Sequence, residues 1–184
     1  MKKVCVFAGS SEGLNPVFKE FAFNVGQILA KNKFELLYGG AQVGLMGAVA
    51  NGCLNEGGKV EGIIPEFLTQ KEVMHPNITK TIITKSMHER KKIMYDKANL
   101  FLVLPGGVGS LDELMEVLTW KQLNLLNQKV IIFNIENYWD DLLKLLFNIY
   151  KNSFMDKKNL YNYIEINNLE KLELELSKFN KDLI

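Results

Sequence analysis

Arginine is nearly absent from this chain: Arg90 stands alone against 21 lysines. Cysteine is scarce too. The two present, Cys5 and Cys53, share no CxxC or Cys/His spacing, so the pattern offers neither a disulfide framework nor a metal site, and both read as buried thiols. Charge of either sign is not in excess. A formal net charge of +1 leaves no basic surface for general nucleic-acid binding. No apolar run approaches the ~20 residues that span a bilayer. Lys2-Lys3 before Val4–Ala8 resembles a signal peptide only in outline, because the run is short and breaks at Gly9-Ser10-Ser11. A cytoplasmic location without membrane contact is expected. Repeats, low-complexity linkers and composition shifts are missing as well, so residues 1–184 read as one domain.

What is there alternates in type. Short apolar strands are expected at Val4–Ala8, Phe34–Leu37, Lys59–Ile64, Ile78–Thr84, Asn99–Leu104, Lys129–Asn134 and Tyr163–Ile166. Between them lie helical stretches. One is opened by Asn15-Pro16 and runs to Lys31; others cover Gly44–Asn55, Ser86–Lys97, Leu111–Leu126, Trp139–Lys151 and Leu169–Phe179. Pro65–Gln70 reads as a single helical turn. This alternation implies right-handed crossovers and an α/β, Rossmann-like, doubly wound, mostly parallel sheet with helices on both faces. In such sheets ligands bind at the carboxyl ends of strands. Three glycine-bearing loops leave strand ends there: Gly9-Ser10-Ser11, Gly39-Gly40 with Gly44, and Gly106-Gly107 with Gly109. Ser10 and Ser11 can donate to a ligand or cap a turn.

The stretch Leu104–Glu113 (LPGGVGSLDE) carries most of the functional information. Glycines between a buried strand and a helix start let the backbone approach a ligand, and the helix N-terminus offers unpaired N–H groups and partial positive charge to an anion. Glu113 is expected in the first helical turn. Ser110-x-x-Glu113 has the form of a capping box, as does Ser86-x-x-Glu89, so Glu113 is either a helix cap or a carboxylate held beside an anion site. Asp112 points about 100° away around the helix. The helix Leu111–Leu126 is apolar nearly all round, which suits either a deep core helix or one facing a second subunit.

Arg90 is the natural counter-charge to Glu113. Met87, Arg90, Lys91 and Met94 share one helix face, and arginine supplies an always-charged planar fork for carboxylate or phosphate. The competing reading is a surface arginine paired with Glu89. His75 and His88 read as exposed or capping histidines. Neither GxGxxG nor GxxxxGK[ST] occurs, which argues against dinucleotide binding and P-loop ATPase chemistry.

Together these motifs resemble the Lonely Guy family, the cytokinin riboside 5′-monophosphate phosphoribohydrolases. The matching residues are Gly9-Ser10-Ser11 with Pro16, Tyr38-Gly39-Gly40 with Gly44-Leu45-Met46-Gly47, Met87–Lys91 (MHERK) and Pro105–Glu113 (PGGVGSLDE). The resemblance implies a homodimer without metal or cofactor. It implies hydrolysis of the N-glycosidic bond of AMP or an N6-modified nucleoside 5′-monophosphate, releasing base and ribose 5-phosphate. By motif position Arg90 and Glu113 would be catalytic. Gly106, Gly107, Val108, Gly109, Ser110, Leu111 and Asp112 would cradle the nucleotide with Gly9 and Ser10, and Glu72, Lys91 and Thr119 would add contacts. Ser110 stands where threonine is usual, and Phe18 where tyrosine is common. The alternative is a non-catalytic nucleotide or molybdenum-cofactor carrier. An older lysine decarboxylase label attached to such sequences has no support here, since no lysine stands in a pyridoxal phosphate context.

Overall fold

The computed structural model describes residues 1–69 and 74–181. In chain order the elements are β1 (Lys3–Phe7), α1 (Val17–Lys31), β2 (Glu35–Tyr38), α2 (Gly44–Asn55), β3 (Val60–Pro65), β4 (Lys80–Thr84), α3 (Met87–Lys97), β5 (Leu100–Val103), α4 (Val108–Gln122), β6 (Lys129–Phe133), α5 (Asp140–Lys151), β7 (Ile164–Ile166) and α6 (Leu169–Lys181). A short 3-10 turn at Glu66–Leu68 takes the place expected for a helical turn after β3.

The seven strands form one sheet in the order β4-β3-β2-β1-β5-β6-β7, each pair parallel. β1 is the centre from which the chain builds outward first on one side and then on the other. The central strands are continuous apolar runs because both faces are covered. Val4, Val6, Leu36, Leu100 and Leu102 pack under α1, α2 and α6, whereas Cys5, Phe7, Leu37, Phe101 and Val103 pack under α3, α4 and α5. α1 turns Ala22, Val25, Gly26 and Leu29 inward at helical spacing.

The two ends of the sheet differ in chemistry. At the amino ends of the strands the buried Glu61 is ringed by Lys3, Lys80 and Lys97. Burial opposes its charge, yet Lys3 and Lys97 hold its carboxyl below the ordinary range. At the carboxyl ends the glycine loops converge. The Gly9 N–H donates to the Pro105 carbonyl at 3.0 Å, so the loops after β1 and β5 touch at the switch in strand order.

Several local expectations shift. α1 starts at Val17, one residue later than expected, with Asn15 Oδ1 accepting from the Val17 N–H at 3.1 Å. At α3, Ser86 caps the Glu89 N–H (3.2 Å), but Glu89 reaches the Lys85 N–H (2.8 Å) instead of completing the box on Ser86. The larger correction is α4. It begins at Val108 with Gly107 as N-cap, so Ser110 and Glu113 form no capping box and Glu113 lies in the second turn. The Ser110 side chain packs onto Gly106, where a Cβ would meet its hydroxyl at 2.2 Å, and the Gly107 carbonyl accepts the first helical bond from Leu111 at 3.1 Å. Nor is α4 a core helix. Ser110, Glu113, Leu114 and Val117 are buried, whereas Val108, Asp112 and Thr119 are exposed.

Candidate functional site

Arg90 and Glu113 meet at the carboxyl end of the sheet. Arg90 is 5% exposed and Glu113 8%. One guanidinium nitrogen, Nη2, stands 3.7 Å from Glu113 Oε1; the other, Nη1, lies 3.8 Å from the Met87 sulfur; and Nε is buried with no hydrogen-bond partner among the described residues. An ion pair at this separation leaves the arginine fork with donors to spare. The surface-arginine reading is therefore excluded, and Glu89 is engaged elsewhere. Gly39, with no side chain, lets the guanidinium lie where it does: a Cβ there would stand 2.4 Å from Nη2, so the fork would have to shift. Beneath the pair, the Cys5 thiol is pushed well up by burial and by the charge of Glu113, with Arg90 opposing.

A seam between α3 and α4 aligns the pair. Lys91 Nζ lies 2.7 Å from Glu116 and 3.1 Å from Asp112, and the Tyr95 hydroxyl donates to Glu116 at 2.7 Å. Burial disfavours the Lys91 ammonium, but Glu116 and Asp112 outweigh it and raise its pKa above the ordinary value.

In front of the pair lies a cleft of about 250 Å³, lined by Ser10, Arg90, Gly107, Val108, Gly109, Ser110, Asp112 and Glu113, with Ala8, Met46, Leu68 and Met87 as its apolar wall. An adjoining lobe of about 200 Å³ shares Ser10 and Gly107 and adds Gly9, Gly106, Phe18 and Tyr138. The N–H groups of Val108, Gly109 and Ser110 precede the α4 hydrogen-bond ladder, and a Cβ at Gly107 or Gly109 would meet nothing within 4 Å. The start of α2 is different, because the Leu45 and Met46 N–H groups donate to the Gly9 carbonyl. That close packing requires Gly44, whose φ is +63° and whose Cβ would strike Ser10 at 2.3 Å. Of the two helices that start at these glycine loops, α4 is the one open to an anion.

Not every expected site residue lines this cleft. Lys91 sits in the seam behind it, and Leu111 packs toward the core. Thr119 lies on another face of α4, in a groove with Met115, Leu146 and Phe154, its hydroxyl donating to the Met115 carbonyl at 2.7 Å. Glu72 lies outside the described residues. His75, expected to be exposed or capping, is 3% exposed: Nδ1 accepts from the Asn77 N–H at 3.3 Å and Nε2 faces Asn51 Oδ1 at 3.1 Å. His88 is exposed as expected. Sequence reasoning missed Tyr138, whose hydroxyl donates to the Gly106 carbonyl at 2.6 Å. Its position just beyond the carboxyl end of β6 was the available signal. Among the described residues no group of three or more His, Cys, Asp or Glu is placed to hold a metal ion, and no helix is long and apolar enough to cross a membrane.

The family model described as "Possible lysine decarboxylase" matches residues 46–175. A cytokinin riboside 5′-monophosphate phosphoribohydrolase of Rhodococcoides fascians is 40% identical over 146 residues, covering 79% of this chain and 74% of that protein. Another, from Arabidopsis thaliana, is 34% identical over 178 residues, 97% of this chain and 78% of that protein. Among solved structures, the molybdenum cofactor carrier protein of Chlamydomonas reinhardtii aligns with a TM-score of 0.74 over 98% of each chain at 15% identity, a likeness that shows the fold alone. On the family match and on relatives this similar over most of its length, the chain belongs to the Lonely Guy family, the cytokinin riboside 5′-monophosphate phosphoribohydrolases.

Proposed function

We propose that the chain hydrolyses the N-glycosidic bond of a purine nucleoside 5′-monophosphate, AMP or an N6-modified AMP, releasing the base and ribose 5-phosphate. The observation that carries this is the buried Arg90–Glu113 pair facing the same cleft as the open N-terminus of α4. The N–H groups of Val108, Gly109 and Ser110 suit the 5′-phosphate. From the helix start to Glu113 the rise is about 7 Å, a span the sugar bridges, which brings the anomeric carbon beside the carboxylate. Cleavage there develops oxocarbenium character, which an ionised Glu113 stabilises while orienting the attacking water. The water oxygen bonds to the anomeric carbon, the C–N bond breaks, and its electron pair leaves with the base, which takes up a proton. Arg90 holds Glu113 ionised and offers its remaining donors to the ribose or phosphate. Met46, Leu68 and Met87 form an apolar wall, which suits a base with an alkyl substituent.

The carrier alternative rests on fold likeness alone, and a buried carboxylate next to the anomeric carbon serves a carrier no purpose. The deciding experiment is incubation with AMP, adenosine and isopentenyl-AMP while following free base. AMP cleaved far faster than adenosine supports the phosphate anchor; no base released from either nucleotide sinks the reading.

The same reading takes residues 1–184 as one cytoplasmic nucleotide-binding domain acting as a homodimer. Its support is the single continuous sheet, two free buried thiols, and exposed apolar side chains on and just beyond α4 and α5, among them Leu123, Leu125, Phe147 and Phe154. Thr119 belongs to that surface, so a nucleotide contact by Thr119 would be made to the cleft of a second copy. A monomeric mass by light scattering at micromolar concentration would contradict the dimer.

A further inference from the structure

The peptide between Gly106 and Gly107 joins two residues without side chains, so local sterics do little to fix its orientation. Its orientation matters at the anion site. In a trans peptide the carbonyl and the following N–H point in opposite directions. One orientation presents the Gly107 N–H to the cleft. The flipped one presents the Gly106 carbonyl oxygen, which repels a phosphate.

The Tyr138 hydroxyl settles this by donating to the Gly106 carbonyl at 2.6 Å, which draws the oxygen toward Tyr138 and leaves the Gly107 N–H pointing the opposite way within the peptide plane. The tyrosine itself is held firmly. Its ring packs edge-to-face on Phe18 (5.5 Å, 76°) and on Trp139 (4.8 Å, 83°). The turn that delivers it passes through Glu136 and Asn137, both left-handed at φ 53° and 57°, a conformation that asparagine tolerates and glutamate disfavours. Asn134, 2% exposed, pins that turn. Its amide donates to Asp140 and Glu165 at 2.9 and 2.7 Å, and its oxygen accepts from the Trp139 N–H at 2.7 Å. A strained, braced turn thus ends in one hydroxyl on one carbonyl of the glycine loop.

We propose that Tyr138 is a positioning residue for the 5′-phosphate, fixing the Gly106–Gly107 peptide so that its N–H, not its carbonyl, faces the anion. This rests on the reading that the N-terminus of α4 holds the phosphate. It acts through the loop and touches no reacting atom.

Tyr138→Phe tests it, because phenylalanine keeps both ring contacts and removes only the hydroxyl. Three quantities are compared between wild type and variant: kcat/KM for AMP, kcat/KM for adenosine, and inhibition by inorganic phosphate. The expected result is a roughly tenfold to hundredfold loss for AMP, the scale of one hydrogen bond at a charged group, with adenosine unchanged and phosphate inhibition weakened by a similar factor. A merely structural tyrosine would lower both substrates alike and leave phosphate inhibition where it was; that outcome overturns the proposal. If the wild type does not distinguish AMP from adenosine and phosphate does not inhibit it, the phosphate reading itself fails and the role of Tyr138 falls with it. If the wild type discriminates and the variant discriminates equally, only the role of Tyr138 is refuted.

Discussion

Replacing Gly39 with alanine isolates the position of one guanidinium from the stability of the fold. Gly39 follows β2, and its φ is not left-handed, so alanine suits the backbone. The added Cβ would stand 2.4 Å from Arg90 Nη2 and 2.8 Å from the Met46 sulfur. Ordinary contact needs roughly 1 Å more. Both obstructing atoms are ends of flexible side chains, so the overpacking cost is at the low end, about 1 kcal/mol. For a chain this long that lowers Tm by roughly 2–4 °C. The catalytic cost is larger. Arg90 is enclosed by Met46, Met87 and Glu113, so a displacement of that size moves the fork off its partner and off the substrate. A misplacement of about 1 Å costs on the order of 100-fold in rate, about 2.7 kcal/mol of barrier. The assay is release of free base from AMP, with thermal melting alongside. Gly57→Ala is the control: φ there is +69°, nothing lies within 4 Å, and it follows α2 at the far end of the molecule. It should lose stability and keep activity. If Gly39→Ala cleaves AMP within about threefold of wild type, the guanidinium position is not part of the chemistry.

Three further outcomes are expected. Glu113→Gln should fold normally, since the Gly107 backbone and not a Ser110–Glu113 box caps α4, and should lose at least ~100-fold in cleavage while AMP still binds by calorimetry; near wild-type turnover would remove Glu113 from the mechanism. His75 has its pKa lowered by burial from the ordinary 6.5, so the unfolded chain takes up a proton before the folded one does. Its contribution to stability is therefore complete above pH 6.5 and is lost as pH falls through the lower folded value. Tm should drop from pH 7.5 to 5.5 and drop less in His75→Gln; identical slopes would refute this. Glu136→Gly, relieving a left-handed glutamate, should raise stability by roughly 0.5 kcal/mol once the added freedom of the unfolded chain is counted, read from denaturant midpoints.

Much of the architecture was legible in the chain itself. Apolar runs such as Asn99–Leu104 and the helical spacing in α1 are local patterns, and glycines marked where strands gave way to loops. The bounds of α2 came out residue for residue. The limits of local reading appear at α4. Ser110-x-x-Glu113 satisfies a capping pattern, yet the helix starts at Val108, which puts Ser110 inside the first turn with its hydroxyl beside Gly106, and the extended Gly107 caps the helix with its backbone instead.

The sequence by itself determined the alternation of strands and helices, the loops that could approach an anion, and the two residues worth pairing. Only the tertiary structure decided that they meet. Arg90 and Glu113 sit on helices separated in the chain by β5, and their approach to 3.7 Å depends on β5 pairing with β1 and on Lys91, Tyr95, Asp112 and Glu116 locking α3 to α4. The same holds for Gly39, whose missing side chain matters because β2 delivers it against Arg90, and for Tyr138, which reaches Gly106 across 32 residues. Periodicity and turn chemistry act over a few residues, so they are written locally. A distance between side chains far apart in the chain is set by the strand order of the sheet and the packing of its layers, which no short stretch of sequence contains.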